Sequence, residues 1–284
     1  MYVGLMKIID KLKEGSEEFW FALEFFPPTT DEAVTVLYDR MDRMAELGPM
    51  FIAVTCDCAT PRTMDICSNS QNLLCLDTMV HVSSKDITPE ALAIVLKEAK
   101  ENGIMNLLAR HDITSVHDNR QAEETVELIK NIRAMHGDDF CIGTMGYPEG
   151  SRDGTTEEED LRDLQQIVEA GGDFIITSHF FDVDRYIHWA AQCRERGIHC
   201  PIVPGIMPIG SWEHFQQMTI MNPHVDKTGE WLRVHDHLST IKHDLVALKQ
   251  YGVELCTRSI QRLADHGWKG LYFYSLNLEN AVTQ

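Results

Sequence analysis

The sequence predicts an α/β fold of one domain, a closed (β/α)8 TIM barrel, on three observations. Short apolar runs rich in β-branched and aromatic residues alternate with longer stretches of helical period, the pattern of repeated βα units around a parallel sheet. Eight such runs occur in 284 residues. No Gly-Ser or Pro-rich linker divides them into two halves, which favours a closed barrel over an open, doubly wound sheet.

The elements follow in chain order. Residues 1–18 mix Lys7, Asp10, Lys11 and Glu14 with Leu5, Ile8, Ile9 and Leu12, which predicts an amphipathic N-terminal helix rather than the unbroken apolar core of a signal peptide. Strands are expected at 20–25, 51–55, 74–81, 104–109, 140–145, 174–179, 200–204 and 270–275. Between them, apolar spacings of three and four predict helices over 31–47, 89–102, 123–135, 157–170, 184–196 and 253–266. Gly103, Gly197 and Gly267 fall where a left-handed residue ends a helix. Residues 222–244, with Pro223, Gly229 and Trp231, read as an insertion before the last helix, and no regulatory domain is expected after the barrel.

Composition narrows the function classes. Apolar residues at 44% and charged residues at 24% match a soluble globular protein. The formal charge of -19 repels phosphate backbones and anionic lipid, so nucleic acid is not an expected partner. No stretch reaches the roughly 20 apolar residues of a membrane span, and a cytoplasmic location is expected, with a mitochondrial or other organelle matrix as the alternative. The eight cysteines sit mostly in apolar runs and read as reduced thiols. Cys56 and Cys58 have one residue between them and no second pair at finger spacing, so they read as a strand end rather than a metal site.

Barrel chemistry gathers at the C-terminal ends of the strands. This singles out Glu24, Thr55, His81, Arg110 to Asp112, Tyr147, Ser178, His179 and Pro204 to Met207. Glu24 lies among aromatics in Phe21-Ala22-Leu23-Glu24-Phe25-Phe26-Pro27-Pro28, where desolvation raises a carboxyl pKa and makes a general acid. The alternative is a carboxylate satisfied by a neighbouring strand's arginine or backbone. Arg110-His111-Asp112 reads either as a group that orients a phosphate or tunes a polarised ring, or as a solvated charged loop. His81 reads either as a ligand donor or as a satisfied core histidine.

Four stretches then carry a resemblance: Leu23 to Pro28 with Tyr38 to Met44; Gly146-Tyr147-Pro148-Glu149; Cys200-Pro201-Ile202-Val203-Pro204-Gly205-Ile206-Met207-Pro208-Ile209; and Tyr274-Ser275-Leu276-Asn277. Together they resemble the catalytic barrel of the methylenetetrahydrofolate reductase family, in order and over nearly the whole chain. The resemblance implies an oxidoreductase of one-carbon metabolism, upstream of methionine synthesis, in which FAD takes a hydride from NAD(P)H and delivers it to 5,10-methylenetetrahydrofolate, giving 5-methyltetrahydrofolate. It implies Glu24 as the acid and Asp112 as the carboxylate that tunes the flavin. Thr55, His81, Arg110, Asp112 and Tyr147 fall at cofactor-binding positions, Ser178 and Trp212 at substrate-binding positions, and no metal is implied.

The sequence also departs from the family pattern. Cys56-Asp57-Cys58-Ala59-Thr60 replaces a glycine-bearing loop, and His111 stands where the family has a glycine between its arginine and aspartate. A histidine shortly after Tyr-Pro-Glu is replaced near Ser151, a flavin-contacting lysine by Ile167, and a folate-contacting glutamine by Ser178. Each lost contact costs on the order of 1.5 to 3 kcal/mol, which predicts weakened FAD binding. Two expectations therefore stand: a reductase acting on folate, or a non-catalytic family member that keeps the barrel as an accessory subunit. A homo-oligomer or membership of a larger complex is expected.

Overall fold

The computed structural model describes residues 6–15, 17–55, 61–85, 87–111, 121–150, 155–221 and 227–279. Eight parallel strands close in sequence order: β1 (Trp20–Phe25), β2 (Phe51–Val54), β3 (Thr78–Ser83), β4 (Asn106–Arg110), β5 (Cys141–Gly146), β6 (Phe174–His179), β7 (Ile202–Ile206) and β8 (Gly270–Tyr274). The (β/α)8 expectation holds. Closure is made by β8 against β1, with Trp20 level with Gly270 and Glu24 level with Tyr274.

Alternation along the strands separates two cores. Ala22, Phe51, Ala53, Met79, Leu108, Cys141, Phe174, Ile176 and Tyr272 fill the barrel interior. Leu23, Ile52, Val54, Val80, Leu107 and Ile142 instead meet Leu37, Met41 and Met44 of α2 (Asp31–Ala45), Leu96 and Ala99 of α4 (Pro89–Glu101), and Ile129 and Ile132 of α5 (Gln121–His136). The remaining sector packs β6 and β7 on α6 (Glu157–Glu169) and α7 (Val183–Glu195). The predicted N-terminal helix is described over α1 (Ile8–Glu14). It plugs the bottom of the barrel, burying Ile8 and Ile9, with the Ile8 amide donating to Asn106 Oδ1 at 2.7 Å.

Four expectations are corrected. The third strand begins at Thr78, not 74, because the preceding residues fold back on α3 (Pro61–Asn72), a helix not anticipated: Leu76 donates to the Ser70 carbonyl, and Gln71 Oε1 receives the Thr78 amide. The β7 strand spans 202–206 rather than 200–204. Two helices were not expected around the 222–244 segment: α9 (Gly229–Ile241) within it and the preceding α8 (Trp212–Met221). The last helix, α10 (Leu245–Asp265), starts eight residues early, with Asp244 capping the amides of Val246 and Ala247. Among the described residues, no helix is long and apolar enough to cross a membrane.

One glycine is required by closure. A Cβ on Gly205 would lie 2.1 Å from the Thr177 carbonyl oxygen, where the β6–β7 register shifts. That carbonyl also accepts from the Tyr274 hydroxyl at 2.8 Å, and Thr177 Oγ1 receives the Gly205 amide at 3.0 Å. The glycine of the Pro-Ile-Val-Pro-Gly-Ile stretch thus lets three strands meet at the upper rim.

Candidate active site at the barrel mouth

Inward alternation on β1, β3 and β8 brings three polar side chains together below the mouth. Glu24 is 2% exposed and His81 1% exposed, with Tyr272 fully buried beneath them. The Tyr272 hydroxyl donates to Glu24 Oε2 at 2.5 Å, and His81 Nε2 lies 3.7 Å from the same oxygen and 3.5 Å from the tyrosine oxygen. Desolvation raises the Glu24 pKa to about 7, against the opposing pull of the Tyr272 hydrogen bond and the Arg110 charge. Burial, reinforced by Arg110, holds His81 well below the ordinary histidine value, so its ring is neutral. The grouping is a proton-holding carboxyl, a neutral imidazole and a phenol in one dry pocket. The hydrogen bond to the Glu24 carboxyl comes from a neighbouring strand, as one reading of the sequence expected, but from the Tyr272 hydroxyl of β8.

The rim above is tied by the β8 exit. Ser275 Oγ donates to the Glu24 carbonyl. Asn277 pairs with Phe26 as a backbone would, accepting from its amide and donating to its carbonyl, both at 2.8 Å. Arg40 of α2 donates to the Asn277 carbonyl at 2.8 Å. The Tyr-Ser-Leu-Asn stretch and the Arg40 segment therefore lock the strand that carries Glu24.

Beside the mouth, between β4, β5, α5 and α6, runs a cleft lined by Arg110, His111, Tyr147, Asp160, Asp163, Ile167 and Trp189, among others. Arg110 is the only lysine or arginine among its described lining residues. His111 is buried, not a solvated loop residue, and lies 3.1 Å from Glu124 of α5. Thr55 is buried directly after β2, its amide donating to the Phe25 carbonyl. Asp112 and Cys56 to Thr60 lie outside the described residues.

Ser178 and His179 end β6, both buried; burial lowers the His179 pKa to about 4. Trp212 stands apart, half-buried at the start of α8 in a ring cluster with Phe215 (5.6 Å) and His235 of α9 (5.7 Å), under Lys242 at 5.9 Å. It is nonetheless joined to Glu24 by a row of rings. Phe215 meets Phe181 at 5.9 Å, Phe181 meets His179 at 6.2 Å, His179 meets Tyr274 at 6.1 Å, and Tyr274 meets Tyr272 at 5.1 Å. Tyr272, Phe181 and Glu149 were missed in the sequence. The alternation Gly270, Tyr272, Tyr274 was the available signal for the first, and Glu149 closes the Gly146-Tyr147-Pro148-Glu149 stretch, whereas nothing local marked Phe181.

Comparison with known proteins bears on what this mouth does. The sequence profile described as "Methylenetetrahydrofolate reductase" matches residues 7–284. The maize protein "Methylenetetrahydrofolate reductase (NADH) 1" is 36% identical over 297 residues, covering 98% of this chain and 49% of that protein. The Escherichia coli "5,10-methylenetetrahydrofolate reductase" is 29% identical, covering 94% and 89%. This chain spans about half the length of the plant relatives it matches. Among solved structures, a Clostridium thermocellum protein described as binding two copies of 5-methyl-5,6,7,8-tetrahydrofolic acid superposes with a TM-score of 0.63 at 11% identity, covering 94% and 92%, a likeness of fold.

Proposed function

Because the chain belongs to the methylenetetrahydrofolate reductase family, we propose that its barrel reduces 5,10-methylenetetrahydrofolate to 5-methyltetrahydrofolate with Glu24 as the proton donor. The observation that carries this reading is the carboxyl held protonated to about pH 7 in a dry pocket, against a tyrosine hydroxyl. Opening the five-membered ring of the substrate to an iminium needs a proton at the departing ring nitrogen. A neutral carboxyl at neutral pH supplies it, and Tyr272 then stabilises the carboxylate left behind.

The residues present fit the flavin end of FAD. His81 Nδ1 is buried without a hydrogen-bond partner among the described residues, an acceptor or donor reserved for something absent. Arg110 and Tyr147 line the adjoining cleft, whose walls at Ala109, Met145, Leu164 and Trp189 are apolar. Thr55, His81, Arg110, Asp112 and Tyr147 would hold the cofactor, which when bound carries hydride from NADH or NADPH to the folate. Outward along the cleft, Asp160 and Asp163 suit sugar hydroxyls better than phosphates, and Ile167 adds no charge. On His111 and Ile167, which stand where the family pattern has a glycine and a lysine, we place FAD affinity below that of family members that keep both. Ser178 and Trp212 are the proposed substrate contacts.

Turnover of NAD(P)H with methylenetetrahydrofolate tests the reading. We expect flavin-dependent activity, reduced about 10²- to 10³-fold by Glu24→Gln. A second reading, a non-catalytic barrel inside a larger assembly in the cytoplasm or an organelle matrix, draws on His111 and Ile167 in the cleft. It takes over if the protein, supplied with excess FAD, shows neither a flavin spectrum nor turnover.

A further inference from the structure

We infer that Glu149 is a positioning residue for the folate side of the mouth, clasping the loop after β6 so that the ring row from Trp212 to Tyr272 stays in register. This rests on the substrate reading above. Glu149 follows β5, two residues beyond Tyr147, and is buried at 4% exposure. One carboxylate oxygen accepts both the Phe181 and the Asp182 amides at 2.9 Å. Those donors precede and cap α7, so no helical carbonyl is available to them; Glu149 satisfies them from a different βα unit.

The clasp is aimed at one residue of the row. Phe181 is its middle ring, between His179 on the strand side and Phe215 on the α8 side. Fixing the Phe181 backbone fixes that ring, and through Phe215 it fixes Trp212. The second Glu149 oxygen is buried with no hydrogen-bond partner among the described residues, so the side chain serves these two amides and nothing else there. Facing it from α7 are Asp182, whose own side chain caps Arg185, and the Arg185 guanidinium. Burial pushes the Glu149 pKa up to about 7, but either protonation state accepts the two amides.

The role predicts a split that loss of fold alone does not give. Glu149→Leu should raise the Kd for 5-methyltetrahydrofolate and the KM for the methylene substrate about tenfold, with kcat within about twofold. Glu149→Gln, which keeps the accepting oxygen, should stay within about twofold of the parent in all three. Phe181→Leu, which keeps the clasp and removes the ring, should repeat the rise in Kd and carries the test if Glu149→Leu does not fold. Titration calorimetry with 5-methyltetrahydrofolate on the full chain reads it. A parent protein that binds the folate while Glu149→Leu or Phe181→Leu binds equally well overturns the inference alone. A parent that does not bind overturns the substrate reading and the inference with it.

Discussion

The chemistry of single residues here is governed by what surrounds them. Glu24 and His81 are ordinary titratable groups whose desolvation moves them in opposite directions, so near pH 7 His81 is neutral and Glu24 still keeps a large protonated fraction. Tyr272 lowers the Glu24 pKa by donating to it. Tyr272→Phe removes that bond, and the pH profile of turnover should shift its Glu24 limb upward, with activity persisting to higher pH but falling in magnitude as the carboxylate product loses its donor. A profile that moves downward, or does not move, contradicts this role. Glu24 was legible in the sequence because its aromatic neighbours adjoin it in the chain. Its partner Tyr272 was not, because the pair is separated by 248 positions and meets only through barrel closure.

At the scale of elements, periodicity identified what packs against the sheet and overlooked what packs above it. The α2, α4, α5, α6 and α7 helices each lay one apolar face on the strands and were read correctly. The α9 helix lies in the segment that reads as an insertion, where Pro223 and Gly229 hide a helical start, although Trp231, Val234, Leu238 and Ile241 repeat at helical spacing. Its partners are rings of α8 rather than a strand, so the βα rhythm gave no place for it. Strand junctions also carry contacts that local pattern does not encode. Gly205→Ala forces a methyl against the Thr177 carbonyl and should destabilise the fold by about 3 kcal/mol or more, since backbone cannot yield as a flexible side chain does. Calorimetric unfolding reads this, and an unchanged Tm contradicts the account of the β6–β7 junction.

For the whole molecule, closing the barrel stabilises the fold while burying groups that prefer water when charged. Glu24 binds its proton more tightly folded than unfolded, so between pH 4.5 and about 7 the native state holds the extra proton and stability falls as pH rises. The window is worth on the order of 3 kcal/mol. His179, moved from 6.5 to about 4, acts in the other direction, costing stability as pH falls through that interval. Glu24→Gln should therefore gain stability relative to the parent as pH is raised from 5 to 8, a difference readable in denaturant midpoints; a constant difference contradicts the linkage. The central claim is that closure of eight strands turns Glu24 into a carboxyl protonated near neutrality. Infrared difference spectroscopy between the parent and Glu24→Gln, followed from pH 4 to 9, isolates its carboxyl stretch. The account expects that band to disappear with a midpoint near 7, and disappearance near 4.5 would contradict it.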